Sequence, residues 1–117
     1  MTKIEAIQEK LRAFAKERDW EKFHSPKNLA MALSAESGEL LEIFQWLTDE
    51  QSKAIIADPK EKKRVEEELA DVFLYLLRLA DQLGIDLMQA AESKMALNAE
   101  KYPIATSKGS ATKYNRK

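Results

Sequence analysis

The sequence predicts an all-α protein built as a bundle of four to five helices. Apolar residues recur every three or four positions along four long stretches, which is the period of an amphipathic helix. Capping signals precede these stretches, and three glycines and three prolines in 117 residues favour helices over strands and turns. The length allows one hydrophobic core, so we expect a helical domain over residues 1–103 followed by a basic, flexible tail over residues 104–117.

The first helix is predicted to begin at a capping box formed by Thr2 and Glu5 and to end near Arg18. Its apolar face contains Ile4, Ile7, Leu11 and Phe14. The next six residues, DWEKFH at 19–24, break the helical period and contain two aromatic side chains and the only histidine. Two aromatic residues and a histidine are unusual in a simple connection between helices.

The second helix is predicted to start at the Ser-Pro pair at 25–26 and to run to about residue 47. Its apolar arc consists of Leu29, Leu33, Leu40, Ile43 and Leu47. Glu36 falls in the middle of this arc and Glu39 at its edge. A buried carboxylate costs several kcal/mol unless a cation or a donor meets it, so we expect a partner opposite Glu36. Gly38, between the two glutamates, indicates either tight helix packing or space for a ligand.

After a short segment at 49–56 capped by Thr48, the third helix is predicted to start at Asp58 and to end near Gly84. The stretch at 69–79 is apolar on nearly every side, with Asp71, Tyr75 and Arg78 as interruptions. More than one face of this helix should therefore be buried. In so small a domain, this indicates association between subunits.

The fourth helix is predicted to start at Asp86 and to continue to about residue 101, before Pro103. Lys94 and Asn98 stand four residues apart on one of its faces. The tail that follows contains glycine, serine, threonine and lysine, and we expect it to be flexible unless a contact anchors it.

Two acidic pairs carry the strongest chemical signal in the sequence. ExxE at Glu36 and Glu39 and ExxD at Glu68 and Asp71 could bring four carboxylate groups to one site if their helices pack antiparallel. Carboxylates without histidine or cysteine suit a hard cation, Mg²⁺ or Mn²⁺. One histidine and no cysteine exclude both a di-iron centre with two Glu-x-x-His motifs and a thiolate zinc site. The sequence contains no phosphate-binding P-loop, so an enzyme acting on phosphates would need the metal instead.

Charge and composition restrict the partners. The net charge is −1, but residues 101–117 carry five basic side chains and no acid, so the first 100 residues sum to −6. An acidic body argues against nucleic acid as the main partner. The sequence has no apolar run of transmembrane length and no signal-peptide core, and the absence of cysteine is compatible with a reducing compartment. We therefore expect a cytoplasmic protein without a membrane partner.

The residues also match a known family. The runs RDWEKFHSPKNLAMALSAESGELLEIFQW, EEELADVFLYLLRLAD, SKMALNAEKYP and the TKY of the tail resemble the MazG-type all-α nucleotide pyrophosphohydrolases, and among them the compact dCTP pyrophosphatases. The resemblance spans nearly the whole chain in the same order. The family pattern is EExxE followed by ExxD, and here Ala35 stands in place of its first glutamate. That departure, shared by the dCTP pyrophosphatase branch, leaves open which carboxylate acts as the base.

The resemblance implies Mg²⁺-dependent cleavage of a nucleoside triphosphate between the α and β phosphates, with dCTP preferred, for sanitation of the nucleotide pool. It implies homodimers or homotetramers with active sites at subunit interfaces. The metal ligands that it implies are Glu36, Glu39, Glu68 and Asp71. The nucleotide contacts that it implies are Trp20, Glu21, Lys22, Phe23, His24, Trp46, Asp71, Tyr75, Lys94 and Asn98.

Several alternatives stay open. The protein could be a helical bundle without catalytic activity, a binding or regulatory module whose acids are solvated. It could also perform the same chemistry on dUTP or phosphoribosyl-ATP. The aromatic side chains at 20, 23, 46 and 75 could be ordinary core residues, and the tail with Lys113 and Tyr114 could cover a triphosphate or remain solvated.

Overall fold

A computed structural model describes residues 1–116 of the protein. Its helices follow the predicted order. Within this range no residue is in a β-strand, which confirms the all-α class. The six α-helices of the range are α1 (Lys3–Glu17), α2 (Pro26–Phe44), α3 (Asp49–Ala54), α4 (Pro59–Gln82), α5 (Leu87–Lys101) and α6 (Ile104–Ser107). Short 3-10 turns occupy Glu21–Phe23, Ile55–Ala57 and Tyr114–Arg116. The last residue of the predicted tail, Lys117, lies outside the described residues.

The predicted N-terminal caps of the helices are confirmed. The Thr2 hydroxyl accepts from the Glu5 backbone amide at 3.1 Å, and the Glu5 carboxylate accepts from the Thr2 amide at 3.2 Å. The Ser25 hydroxyl accepts from the Asn28 amide at 3.2 Å in front of α2. Because each cap satisfies an amide that lacks a partner within the helix, these residues fix where the helices begin.

Three long helices form the core of the first compact unit, residues 1–84. α4 packs against both α1 and α2. Leu29 of α2 and Leu77 of α4 are completely buried. The remaining buried apolar residues of the described chain are Ala15, Ile43, Val65 and Ala80. The apolar arc predicted for α2 is the face that packs, since none of its five members is exposed.

α2 ends three residues earlier than the sequence indicates. The helix stops at Phe44, and residues 45–47 form a turn in which the Leu47 amide donates to the Phe44 carbonyl at 2.9 Å. The next residue, Thr48, caps α3 and adopts an extended conformation that no α-helix can contain. This cap, predicted correctly, also shortens α2, and it leaves Trp46 in the turn with 86% of its surface exposed.

Parts of α2 and α4 are not covered by other described residues of the single chain. Leu69 and Phe73 of α4, predicted to be buried, are 51% and 41% exposed in the single chain. A Cβ atom added at Gly38 would meet nothing within 4 Å. Tight packing within residues 1–116 therefore does not explain this glycine, and its neighbourhood is open.

The second compact unit, which begins at Ile85, contains α5 and the tail. The Asp86 carboxylate caps α5 by accepting from the Gln89 amide at 3.1 Å. In the tail, the Tyr114 ring packs edge-on against the Tyr102 ring at 6.0 Å, and the Tyr114 amide donates to the Tyr102 hydroxyl at 3.2 Å. These contacts anchor the tail within this unit, while the domain boundary after residue 103 stays a prediction. No helix within residues 1–116 has the length and apolar composition needed to cross a bilayer.

Candidate metal centre and substrate cavity

Three of the four predicted metal ligands lie together between α2 and α4. Glu36 and Glu39 are one turn apart on α2, and Glu68 comes from α4. One carboxylate oxygen from each of the three lies within 4.8 Å of the others. The spacing along α2 and its packing against α4 therefore produce a compact acidic cluster.

The electrostatics of the acidic cluster are unfavourable without a cation. Burial raises the pKa of Glu36 to about 7, and the hydrogen bond and negative charge of Glu39 add to this effect. Burial also raises the pKa of Glu68, with the charge of Glu39 as the next cause. Like charges at this separation repel each other, so the cluster favours any state that adds positive charge.

Two oxygen atoms of the acidic cluster lack hydrogen-bond partners. Glu36 Oε2 and Glu68 Oε2 are buried and have no partner among residues 1–116. No ion pair of the described chain involves Glu36, Glu39 or Glu68. Since buried polar atoms in proteins are nearly always satisfied, these oxygens fit a bound ion, and an all-carboxylate donor set fits Mg²⁺ or Mn²⁺.

Asp71, the fourth predicted ligand, lies beside the acidic cluster rather than within it. Its negative charge contributes to the raised pKa values of Glu36 and Glu68. Its side chain also lines a cavity, so it connects the acidic cluster to that cavity.

The cavity has a volume of about 480 Å³ and lies between α1, the connection at 19–24 and α4. A volume of this size is typical of sites for small organic ligands. The residues that line it are Ile7, Lys10, Leu11, Phe14, Trp20, His24, Asp71, Leu74, Tyr75 and Arg78. Most of this wall is apolar or aromatic, and its polar groups are few.

The connection at 19–24 positions two of the wall residues. Asp19 has a φ of 54°, which reverses the chain directly after α1. The Trp20 amide then donates to the Ala15 carbonyl at 2.8 Å, and the Trp20 ring packs edge-on against Phe14 at 5.7 Å. This reversal places Trp20 and His24 beside α1 rather than in open loop.

His24 is held by a buried arginine. Arg78 Nε donates to His24 Nδ1 at 3.1 Å. Because arginine has no acceptor, Nδ1 carries no proton, and the neutral ring carries its proton on Nε2. Burial lowers the pKa of His24, and the positive charge of Arg78 lowers it further, so the imidazole is neutral at pH 7.

Of the nucleotide contacts that the resemblance implies, the structure brings Trp20, His24, Asp71 and Tyr75 together in the cavity wall. Others lie elsewhere and stay predictions. Glu21, Lys22 and Phe23 are exposed on the neighbouring turn, Trp46 is exposed after α2, and Lys94 and Asn98 are exposed on α5 in the second unit.

Sequence reasoning missed six of the ten wall residues, namely Ile7, Lys10, Leu11, Phe14, Leu74 and Arg78. The four apolar ones look like ordinary core positions of amphipathic helices, and nothing in the sequence marks them or Lys10 as ligand contacts. Arg78 could have been identified from the sequence, because it is an arginine inside the apolar stretch at 69–79.

Comparison with known proteins adds independent evidence. The model of the MazG-like family matches residues 31–116. The chain is 50% identical over 101 residues to dCTP pyrophosphatase 1 of Mus musculus and 46% identical over 101 residues to that of Homo sapiens; each match covers 86% of this chain. The chain spans about 59% of the length of these relatives.

A solved structure agrees with the observed fold. The crystal structure of a pyrophosphatase from Archaeoglobus fulgidus superposes with a TM-score of 0.79 at 44% identity, over 88% of this chain and 94% of that one. The family match covers most of the chain, and the identity to the relatives is far above that of chance similarity. The protein therefore belongs to the MazG-like family, as its sequence motifs indicated.

Proposed function

We propose that this protein is a divalent-metal-dependent nucleoside triphosphate pyrophosphohydrolase that prefers dCTP. The reaction would cut the bond between the α and β phosphates and release the nucleoside monophosphate and pyrophosphate. The observation that carries the proposal is the acidic cluster, with its two unpartnered buried oxygens, next to a cavity of ligand size. The dCTP pyrophosphatase relatives support the choice of nucleotide.

The residues fit a bound Mg²⁺ or Mn²⁺ at Glu36, Glu39 and Glu68, with Asp71 as the fourth proposed ligand. A divalent ion held by these carboxylates supplies positive charge against the triphosphate and makes a water molecule more acidic. The acidic side chains by themselves would repel a triphosphate. The proposal therefore requires the metal for binding as well as for the chemical step.

The chain's own groups provide a proton acceptor and a site for the base. Either Glu36 or Glu39, whichever is not fully committed to the metal, would take the proton of the attacking water. Trp20 and Tyr75 offer aromatic surfaces for a nucleobase and exclude water around it. His24 Nε2–H can donate to a sugar or phosphate oxygen.

A substrate panel tests this proposal. We expect pyrophosphate release from dCTP in the presence of Mg²⁺, slower release from the other common dNTPs and NTPs, and no release in EDTA. Faster turnover of dUTP or phosphoribosyl-ATP would identify the same chemistry on another substrate. A protein that releases no pyrophosphate from any of these nucleotides would instead be a binding or regulatory module.

We also propose that the protein is a homo-oligomer, a dimer or tetramer, with the site completed at a subunit interface. Large apolar side chains of α2 and α4 remain exposed in the single chain, including Met31, Leu41, Leu69 and Phe73, each at least 41% exposed. Large apolar side chains left exposed in such numbers are typical of an association face. Sedimentation equilibrium is expected to give at least twice the mass of the chain, and a monomer at micromolar concentration would contradict this proposal.

A further inference from the structure

The cavity contains a buried cation that the proposed reaction does not use. Arg78 is 5% exposed and is the buried charged residue of the described chain. It lies on α4 in the cavity wall, among mainly apolar neighbours. Charged groups are costly to bury, so the charge and the N–H donors of Arg78 need acceptors at this position.

Asp81, the acid that forms an ion pair with Arg78, is hydrogen-bonded to a different arginine. Arg12 Nη1 donates to both oxygens of Asp81, at 2.7 and 2.8 Å. Arg78 Nη1 lies 3.7 Å from the same carboxylate, which is beyond hydrogen-bond distance. One negative charge therefore serves two guanidinium groups. Arg12, Asp81 and Arg78 together therefore carry one net positive charge.

The orientation of the guanidinium is fixed before any ligand binds. Nε of Arg78 donates to His24 Nδ1 at 3.1 Å, and α4 holds the backbone. Among residues 1–116 the guanidinium of Arg78 makes only this hydrogen bond. The N–H groups of Nη1 and Nη2 are therefore available to a ligand. A fixed planar group with parallel donors recognises a pair of adjacent acceptors.

We propose that Arg78 determines the base specificity of the site by donating to O2 and N3 of a cytosine ring. These two atoms are neighbouring acceptors on one edge of cytosine. On uracil or thymine, N3 carries a hydrogen, which would point at an arginine donor. This inference rests on the proposed function, because it assigns the base of the nucleotide to the cavity. His24 acts here as a positioning residue for the guanidinium.

The expected size of the discrimination follows from bidentate base recognition by arginine. A good bidentate pair distinguishes the right base from the wrong one by about tenfold to a hundredfold. A mismatched partner also leaves a buried donor unsatisfied, which adds to the penalty. The wild-type protein should therefore prefer dCTP to dUTP by at least about this factor.

Arg78→Met tests the proposal, with Arg64→Met on the same helix as the matched control. Methionine keeps much of the length of Arg78 but removes its donors, and Asp81 remains paired with Arg12. We expect kcat/KM for dCTP to fall about tenfold to a hundredfold and kcat/KM for dUTP to change less than about threefold. Arg64 lies on the same helix, pairs with Glu61 at 3.6 Å and does not line the cavity, so its variant should keep the dCTP/dUTP ratio.

A second measurement uses the unmodified protein and does not depend on how the variant folds. In 3-deaza-dCTP a C–H group replaces N3, and its kcat/KM should be at least about tenfold below that of dCTP. Equal use of the two nucleotides, or an equal loss on dCTP and dUTP in Arg78→Met, overturns the role of Arg78. A wild-type protein that cleaves no nucleoside triphosphate overturns the proposed function itself, and the base assignment with it.

Discussion

Glu36→Gln is expected to lower pyrophosphate release from dCTP at least about a hundredfold, which corresponds to about 3 kcal/mol of transition-state stabilisation. Glutamine keeps the size of the side chain and one carbonyl oxygen, but it removes the charge that would hold a divalent ion. Because Glu36 sits among Glu39, Glu68 and Asp71, loss of its charge also relieves repulsion. In EDTA at pH 7.5 the variant should therefore fold with unchanged helicity and at least wild-type stability.

The controls for this result lie on the same helices. Glu42 of α2 and Glu67 of α4 are exposed and are not in the acidic cluster. Glu42→Gln and Glu67→Gln should keep turnover within about twofold of the wild type. Glu68→Gln should behave like Glu36→Gln. If Glu36→Gln and Glu68→Gln release pyrophosphate at the wild-type rate, the acidic cluster is not the metal site.

The second large effect concerns stability as a function of pH. Glu36 has a pKa of about 7 in the folded chain and 4.5 as its ordinary value, so between these pH values the folded state holds more protons. Its contribution to stability is complete below about pH 4.5 and is lost as the pH rises through about 7. Allowing for screening by solvent, we expect a loss of about 1–2 kcal/mol in EDTA.

Mg²⁺ should reverse this loss. Because the ion binds the ionised carboxylates, it should raise the free energy of unfolding clearly at pH 8 and little at pH 5. His24 titrates with the opposite sign, since its pKa is lowered in the fold. The difference between wild type and Glu36→Gln cancels the His24 contribution and reports Glu36 together with its effect on the neighbouring Glu68. Denaturant titrations at pH 5, 6.5 and 8 give this difference. A wild-type stability in EDTA that does not decrease relative to Glu36→Gln over this range would contradict the raised pKa.

Local signals in the sequence predict most helix boundaries correctly. Thr2, Ser25 and Asp86 cap their helices as the motifs indicated, because capping depends on residues only two or three positions apart. The late end predicted for α2 is an error of the same local kind, since periodicity continues to Leu47 while the Thr48 cap stops the helix at Phe44. Here the position of the next N-cap, and not the apolar periodicity, determines where the helix ends.

The acidic cluster was predictable only in part. A carboxylate at position 36 on an apolar face indicates that something must meet it, and the structure places Glu68 there. Which of the four acids share one site depends on how α2 and α4 pack, and spacing alone could not separate Asp71 from the other three. The cavity wall depends on three segments distant in sequence, so Leu11 and Phe14 of α1 carried no signal.

The small number of buried side chains has a consequence for folding. Of the described residues, six apolar side chains and Arg78 are buried in the single chain. A domain of this length ordinarily buries about two thirds of the surface of its unfolded chain, and a core this thin leaves little free energy to offset conformational entropy. If neighbouring copies cover the exposed Leu69 and Phe73 of α4, folding and assembly form one equilibrium. Dilution would then unfold the protein as heating does, and its melting temperature would rise with protein concentration.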